Sequence, residues 1–131
     1  TFRRDADGWR ADPGGISEIP PIGEADYRAC VMGLGDYMRK CGFKKALLGL
    51  SGGIDSAIVA AIAADALGPE NVRCVMLPSE FTSAHSLEDA AAAANALGCR
   101  LDTVPISGAQ GAVGEALAPL FAGTEAGITE E

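Results

Sequence analysis

Apolar and polar positions follow two rhythms along this chain. Tyr27, Cys30, Val31, Leu34, Met38 and Cys41 recur at three- and four-residue steps, which predicts an amphipathic helix near 25–41, stopped by Gly42. Ala46 to Leu50 is a short run apolar on both parities, the pattern of a strand buried on both faces of a parallel sheet. A second helix is predicted from about Asp55 over 56–67, with Ile58, Ala61, Ile62 and Leu67 on one side and Gly68-Pro69 ending it. Val72 to Leu77 predicts a second buried strand, and Pro78 to His85 a loop. Ser86-Leu87-Glu88-Asp89 has the form of a capping box, opening an alanine-rich helix over 86–97 that Gly98 stops. Leu101 to Ile106 predicts a third strand; after Gly108, Gly111 and Gly114 a further helix is expected over Val113 to Phe121.

Strand starts near 46, 72 and 101 mark repeated βαβ units. Right-handed crossovers then place the three strands side by side and parallel. The expected fold is α/β, an open parallel sheet of which the chain carries the N-terminal half only. Residues 1–20 read as a linker. Arg3-Arg4-Asp5 is charged, Pro13-Gly14-Gly15 interrupts regular structure, and Pro20-Pro21 closes the segment. Residues 21–131 read as the N-terminal part of the α/β domain.

Composition narrows the partners. The 131 residues suffice for one domain or part of one. Eighteen acidic against ten basic side chains leave a formal charge of −8, and beyond Lys45 the remaining Lys or Arg residues are Arg73 and Arg100. That is no basic stripe for a nucleic-acid backbone. Gly or Asp interrupts every apolar stretch well before 18 residues, which excludes a membrane-spanning helix. The first ten residues are mixed in charge and lack the apolar segment of a signal peptide. Cys30, Cys41, Cys74 and Cys99 form no CxxC pair, so they read as small buried hydrophobes in a reducing compartment, the cytoplasm.

Chemistry in an open α/β sheet gathers at the carboxyl ends of the strands. There the chain places Gly49-Leu50-Ser51-Gly52-Gly53-Ile54-Asp55-Ser56. Two glycines allow a sharp turn and close approach to a ligand, and the helix that follows points free N–H groups at it. Such a site suits a phosphate. Ser51 and Ser56 add hydroxyls, and Asp55, which would repel phosphate by itself, implies Mg²⁺ between them. A Walker A loop would need Gly-Lys-Ser/Thr where Ile54-Asp55-Ser56 stands. Gly49-Leu50-Ser51-Gly52-Gly53 also fits the GxSxG nucleophile elbow, but the one histidine, His85, lies too early for that fold's order. A structural alternative remains: a tight βα turn in which Ser51 caps the helix and Asp55 sits favourably in its first turn.

The octet resembles the SGGxDS pyrophosphate loop of the N-type ATP pyrophosphatases, whose fold is of the adenine nucleotide alpha hydrolase-like type. The flanks Gly42-Phe43-Lys44-Lys45, Ala57-Ile58-Val59-Ala60 and Leu77 through Ala90 resemble the NAD synthetase family, more closely the synthetase domain of its glutamine-dependent form. The resemblance covers about residues 21–131 and implies that the linker leads from an amidase domain. It implies a carbon–nitrogen ligase that adenylates deamido-NAD with ATP and Mg²⁺, then lets ammonia displace AMP to give NAD. On that reading Ser51, Gly52, Gly53 and Ser56 cradle phosphates, Gly49, Leu50 and Ile54 shape the ATP site, and Asp55 holds Mg²⁺. No residue of the chain acts as a covalent catalyst. Leu77 to Ser83 would lie beside the adenosine, and Ile128-Thr129-Glu130-Glu131 resembles the approach to further Mg²⁺, ATP and deamido-NAD contacts. The family implies a homodimer in the full-length protein and inactivity of the isolated 131 residues. Another adenylating ATP pyrophosphatase, such as a tRNA-modifying enzyme, or a non-catalytic nucleotide-binding module are the alternatives.

Overall fold

The computed structural model describes residues 1–11, 14–15 and 18–123. Pro13 and Ile128 to Glu131, with the expectations placed on them, lie outside the described residues. Two β-strands open the chain, β1 (Phe2–Asp5) and β2 (Gly8–Ala11), followed by α1 (Ile22–Cys41). Then come β3 (Ala46–Gly49), α2 (Ile54–Leu67), β4 (Val72–Met76), α3 (Ala84–Leu97), β5 (Arg100–Thr103) and α4 (Ser107–Leu117). A short 3-10 turn at Pro69–Asn71 joins α2 to β4.

β3, β4 and β5 pair in that order and all in parallel, as the repeated pattern predicts. Register places Leu48 beside Cys74 and Cys74 beside Leu101, so these side chains share one face. α2 and α3 pack on that face, where Ala60, Ala63, Ala64, Ala90 and Ala94 surround Val72, Cys74 and Met76. Alanine brings the helices close to the sheet. The buried stripe of α2 is therefore Ala60, Ala63 and Ala64, while Ile58 of the expected stripe is half exposed. α1 packs on α2, with Tyr27 donating its hydroxyl to Asp65 Oδ2 at 2.7 Å. That bond to a carboxylate, with burial second, pushes the Tyr27 phenol above its usual range.

Several expectations need correction. The strands are not buried on both faces: Leu47 is 70% exposed, and its face carries Arg73, Val75, Arg100 and Asp102. Residues 1–20 are not wholly irregular, because β1 and β2 form an antiparallel hairpin with Asp5 opposite Gly8. Ala6-Asp7 forms the turn, with Asp7 N–H donating to Asp5 Oδ1 at 3.0 Å and Gly8 opening β2 at φ +122°. The cap of α3 is Ser83 rather than Ser86, so the helix starts at Ala84. α4 begins at Ser107, six residues before the expected Val113, because the spaced glycines are taken into the helix instead of preceding it.

Cys74 and Cys99 are buried free thiols, and burial pushes both above the usual thiol range. Cys30 and Cys41 face outward on α1, contrary to the expectation that all four are buried. Among the described residues no helix is long and apolar enough to cross a membrane.

Candidate phosphate-binding site

β3 ends at Gly49, and Leu50 turns its side chain into the core, where it is 1% exposed. Its N–H still donates to Val75 O at 2.9 Å, so the sheet grips the chain one residue past the strand. The next residues must reverse direction before α2 begins at Ile54. Gly52 makes that reversal with φ +87°, a conformation L side chains rarely adopt. Space forbids a side chain as well: a Cβ there would lie 2.3 Å from Ser86 O and 2.8 Å from Ser86 Cα. Gly53, at φ −82° and ψ 156°, is the N-cap of α2 and gives it no side-chain cap.

Two serines lock the turn. Ser56 Oγ donates to Gly53 O at 2.9 Å and accepts from Ser51 N–H at 3.1 Å. Ser51 Oγ lies 3.1 Å from Ser56 Oγ and accepts from Gly53 N–H at 3.4 Å. Ser51 therefore organises the turn and leaves the helix uncapped. The first backbone bond closing α2 runs from Ala57 N–H to Gly53 O at 3.1 Å, so Ile54, Asp55 and Ser56 have no intrahelical partner for their N–H groups. These three donors lie at the positive end of the helix dipole, and the Asp55 side chain in the same first turn is exposed. The structure brings Ser51, Gly52, Gly53, Ile54, Asp55 and Ser56 into one turn. Leu50 adds its backbone only, and Gly49 is the last residue of β3.

The nucleophile-elbow reading fails on geometry. Ser51 Oγ contacts Ser56 and Gly53, whereas exposed His85 has its Nδ1 3.7 Å from Asp89 Oδ2 on the next turn of α3. His85 is a surface residue of the first turn of α3.

Ser83, the end of the segment expected beside the adenosine, and Ser86, which the sequence pattern did not assign to the site, form the wall next to this turn. Ser83 Oγ accepts Ser86 N–H at 3.1 Å and lies 2.9 Å from Ser86 Oγ. Before them the segment after β4 is held by Ser79 N–H donating to Thr82 Oγ1 at 2.9 Å and Ile106 N–H donating to Pro78 O at 3.0 Å. The signal was available: β4 neighbours β3, so the helix following β4 must start beside the turn following β3.

An open parallel sheet with helices crossing between strands, and a serine–glycine turn at a strand's carboxyl end, defines an α/β fold of the ATP pyrophosphatase type. The sequence model of the NAD synthase family matches residues 26–127, and the chain belongs to that family. It is 60% identical over 130 residues to a glutamine-dependent NAD(+) synthetase of Rhodobacter capsulatus, covering 99% of this chain and 24% of that protein. Among solved structures, the glutamine-dependent NAD+ synthetase of Acinetobacter baumannii in complex with adenosine diphosphate superposes with a TM-score of 0.84 at 36% identity, over 98% of this chain and 24% of the other. The ammonia-dependent NAD synthetase of Campylobacter jejuni, solved with a nitrate ion, shares the fold at a TM-score of 0.68 and 24% identity, over 81% of this chain and 43% of the other. The chain spans about a quarter of the length of the glutamine-dependent relatives it matches.

Proposed function

We propose that this chain supplies the pyrophosphate-binding loop of an enzyme that amidates deamido-NAD to NAD at the expense of ATP. The observation that carries the reading is the turn from Ser51 to Ser56. Three helix N–H groups without intrahelical partners stand at the start of α2, next to a glycine apex packed on the Ser86 backbone. Such a turn holds the β and γ phosphates while the bond to the α-phosphate breaks. The nicotinate carboxylate attacks the α-phosphate, pyrophosphate departs, and the acyl adenylate passes to ammonia with release of AMP. Fixed N–H dipoles stabilise the leaving charge without reorganising as it develops. Family membership supports the product, and the ADP-bound relative supports a nucleotide in this fold.

Asp55 is the carboxylate for Mg²⁺. Asp55 offers one exposed carboxylate at the start of α2. That fits Mg²⁺, which is held by one or two carboxylates while phosphates and water complete its shell. Bound there, Mg²⁺ supplies neutralisation of phosphate charge. In the longer enzyme, ammonia comes from glutamine hydrolysed by an amidase portion. The enzyme is a cytoplasmic homodimer, and residues 1–131 alone make no NAD.

Two measurements test this. Calorimetric titration of the chain with Mg·ATP and with pyrophosphate should show binding; silence with both would remove the phosphate-loop role. In the full-length enzyme, Asp55→Asn should raise the ATP KM or depress turnover by at least about tenfold across a Mg²⁺ titration. Asp65→Asn, which keeps an acceptor for Tyr27, should leave both near normal. Equal behaviour of the two variants would count against Asp55.

A further inference from the structure

We infer that Ser83 is a positioning residue for the turn from Ser51 to Ser56, acting through the backbone of Ser86; the functional part of this inference rests on the phosphate-loop reading above. Gly52 lies against a peptide group and not against a flexible side chain. A Cβ on it would fall within 2.9 Å of the O, Cα and C atoms of Ser86. The position of that peptide therefore decides how deep the apex of the turn can sit.

Ser86 occupies the first turn of α3, a place where backbone N–H groups lack helical partners. One hydroxyl fixes it. Ser83 Oγ accepts Ser86 N–H at 3.1 Å and meets Ser86 Oγ at 2.9 Å, while Leu87 N–H donates to Ser83 O at 3.3 Å. Ser83 is itself tied to the segment after β4, since its neighbour Thr82 donates its N–H to Ser79 O at 3.2 Å and receives Ser79 N–H on its hydroxyl. From the other side, Gly52 is flanked by Ser51 and Gly53, both anchored on Ser56. The contact between Gly52 and Ser86 thus joins two cross-bonded segments from adjacent strands.

Removing the Ser83 hydroxyl releases Ser86 N–H and loosens the first turn of α3. The wall behind Gly52 then moves, and the N–H groups of Ile54, Asp55 and Ser56 lose their common aim.

The test uses the ¹⁵N-labelled chain with inorganic pyrophosphate and Mg²⁺ as the probe, well below the melting temperature of each variant. Ser83→Ala should shift the Gly52 amide resonance and weaken pyrophosphate binding about fivefold, the factor that loss of a helix cap commands. Ser83→Asn, which retains a capping oxygen, should restore both, and Glu88→Ala, an exposed change farther along α3, should stay near wild type. An unmoved Gly52 resonance in Ser83→Ala would overturn the inference. So would a lower melting temperature with unchanged affinity, the outcome of a purely structural cap. Failure of the unmodified chain to bind pyrophosphate would instead strike the phosphate-loop reading, and the Gly52 resonance would still decide whether Ser83 positions the turn.

Discussion

The two faces of the sheet are made by alternate residues of the same strands, and different physics holds each of them. On the helix-covered face Val72, Cys74 and Met76 exclude water beneath α2 and α3. On the other, Arg73 from β4 pairs with Asp102 of β5, which Arg100 meets at 3.0 Å, beside an exposed Leu47. The candidate site is an extension of the first face. Leu50 anchors its beginning in that core, and the helices that bound it are the ones packed there. Damage to the covered face should therefore reach the turn, while damage to the open face should stay where it is made.

The largest effect is expected at Leu50. Leu50→Ala should cost roughly 2–5 kcal/mol in urea unfolding, the range for a large-to-small change in a packed core. A cost near zero would mean that the covered face is not the stabilising one. Next comes Gly52→Ala, which meets both a forbidden φ and the Ser86 peptide. Pyrophosphate affinity, read by calorimetry, should fall at least about tenfold, the price of one to two kcal/mol of misplacement. Gly53→Ala should do far less, because φ is ordinary there and the nearest atom to a Cβ is Ser51 Oγ at 3.5 Å.

A third prediction concerns acid. The hydrogen bond from Arg73, assisted by Arg100, holds the Asp102 carboxyl below its usual range despite an opposing desolvation. A folded-state pKa below the unfolded one contributes stability that is complete above the unfolded value, near 4, and lost as pH falls through the folded one. Wild type should therefore lose stability more steeply than Asp102→Asn in acid unfolding below about pH 4. Parallel curves would show the ion pairs of the open face to be inert. Smallest of all, Leu47→Ser should change stability by no more than about 0.5 kcal/mol, as for other exposed positions. A large loss would mean that the open face is covered in solution.

The sequence made the sheet legible because Ala46 to Leu50 and Val72 to Leu77 are short, largely apolar runs and a glycine or proline lies close to the start or end of every strand. Ala46–Gly49, Val72–Met76 and Arg100–Thr103 fall within a residue of the expected starts. Which face would be covered was not legible, since an apolar residue such as Leu47 reads the same whether or not something packs on it. The hairpin was hidden by the charges of Arg3, Arg4 and Asp5, although Asp7-Gly8 between Phe2 and Trp9 is a turn signal. At α3, Glu88 and Asp89 drew the cap to Ser86. The structure uses Ser83 because the turn closed by Ser79 and Thr82 delivers the chain there in extended form, with φ −68° and ψ 149°. The octet from Gly49 to Ser56 was visible as a motif. Its wall was not, because Ser86 presents only backbone to Gly52 and backbone leaves no mark on a sequence.

Strand order carries one more consequence, for the birth of the protein on the ribosome. β3, β4 and β5 take their places in the sheet in the order in which they are synthesised, each beside its predecessor. No strand waits for a later one to be inserted between it and its neighbour, so every pairing closes only a single crossover and demands little loop entropy. The last backbone piece the candidate site needs is Ser86, at the start of α3. Both walls are thus synthesised ahead of β5, and Ile106, which follows β5, then ties down the segment after β4 at Pro78 O. A nascent chain would therefore fix the second wall in two stages, as α3 packs through Ala90 and Ala94 and then as Ile106 emerges.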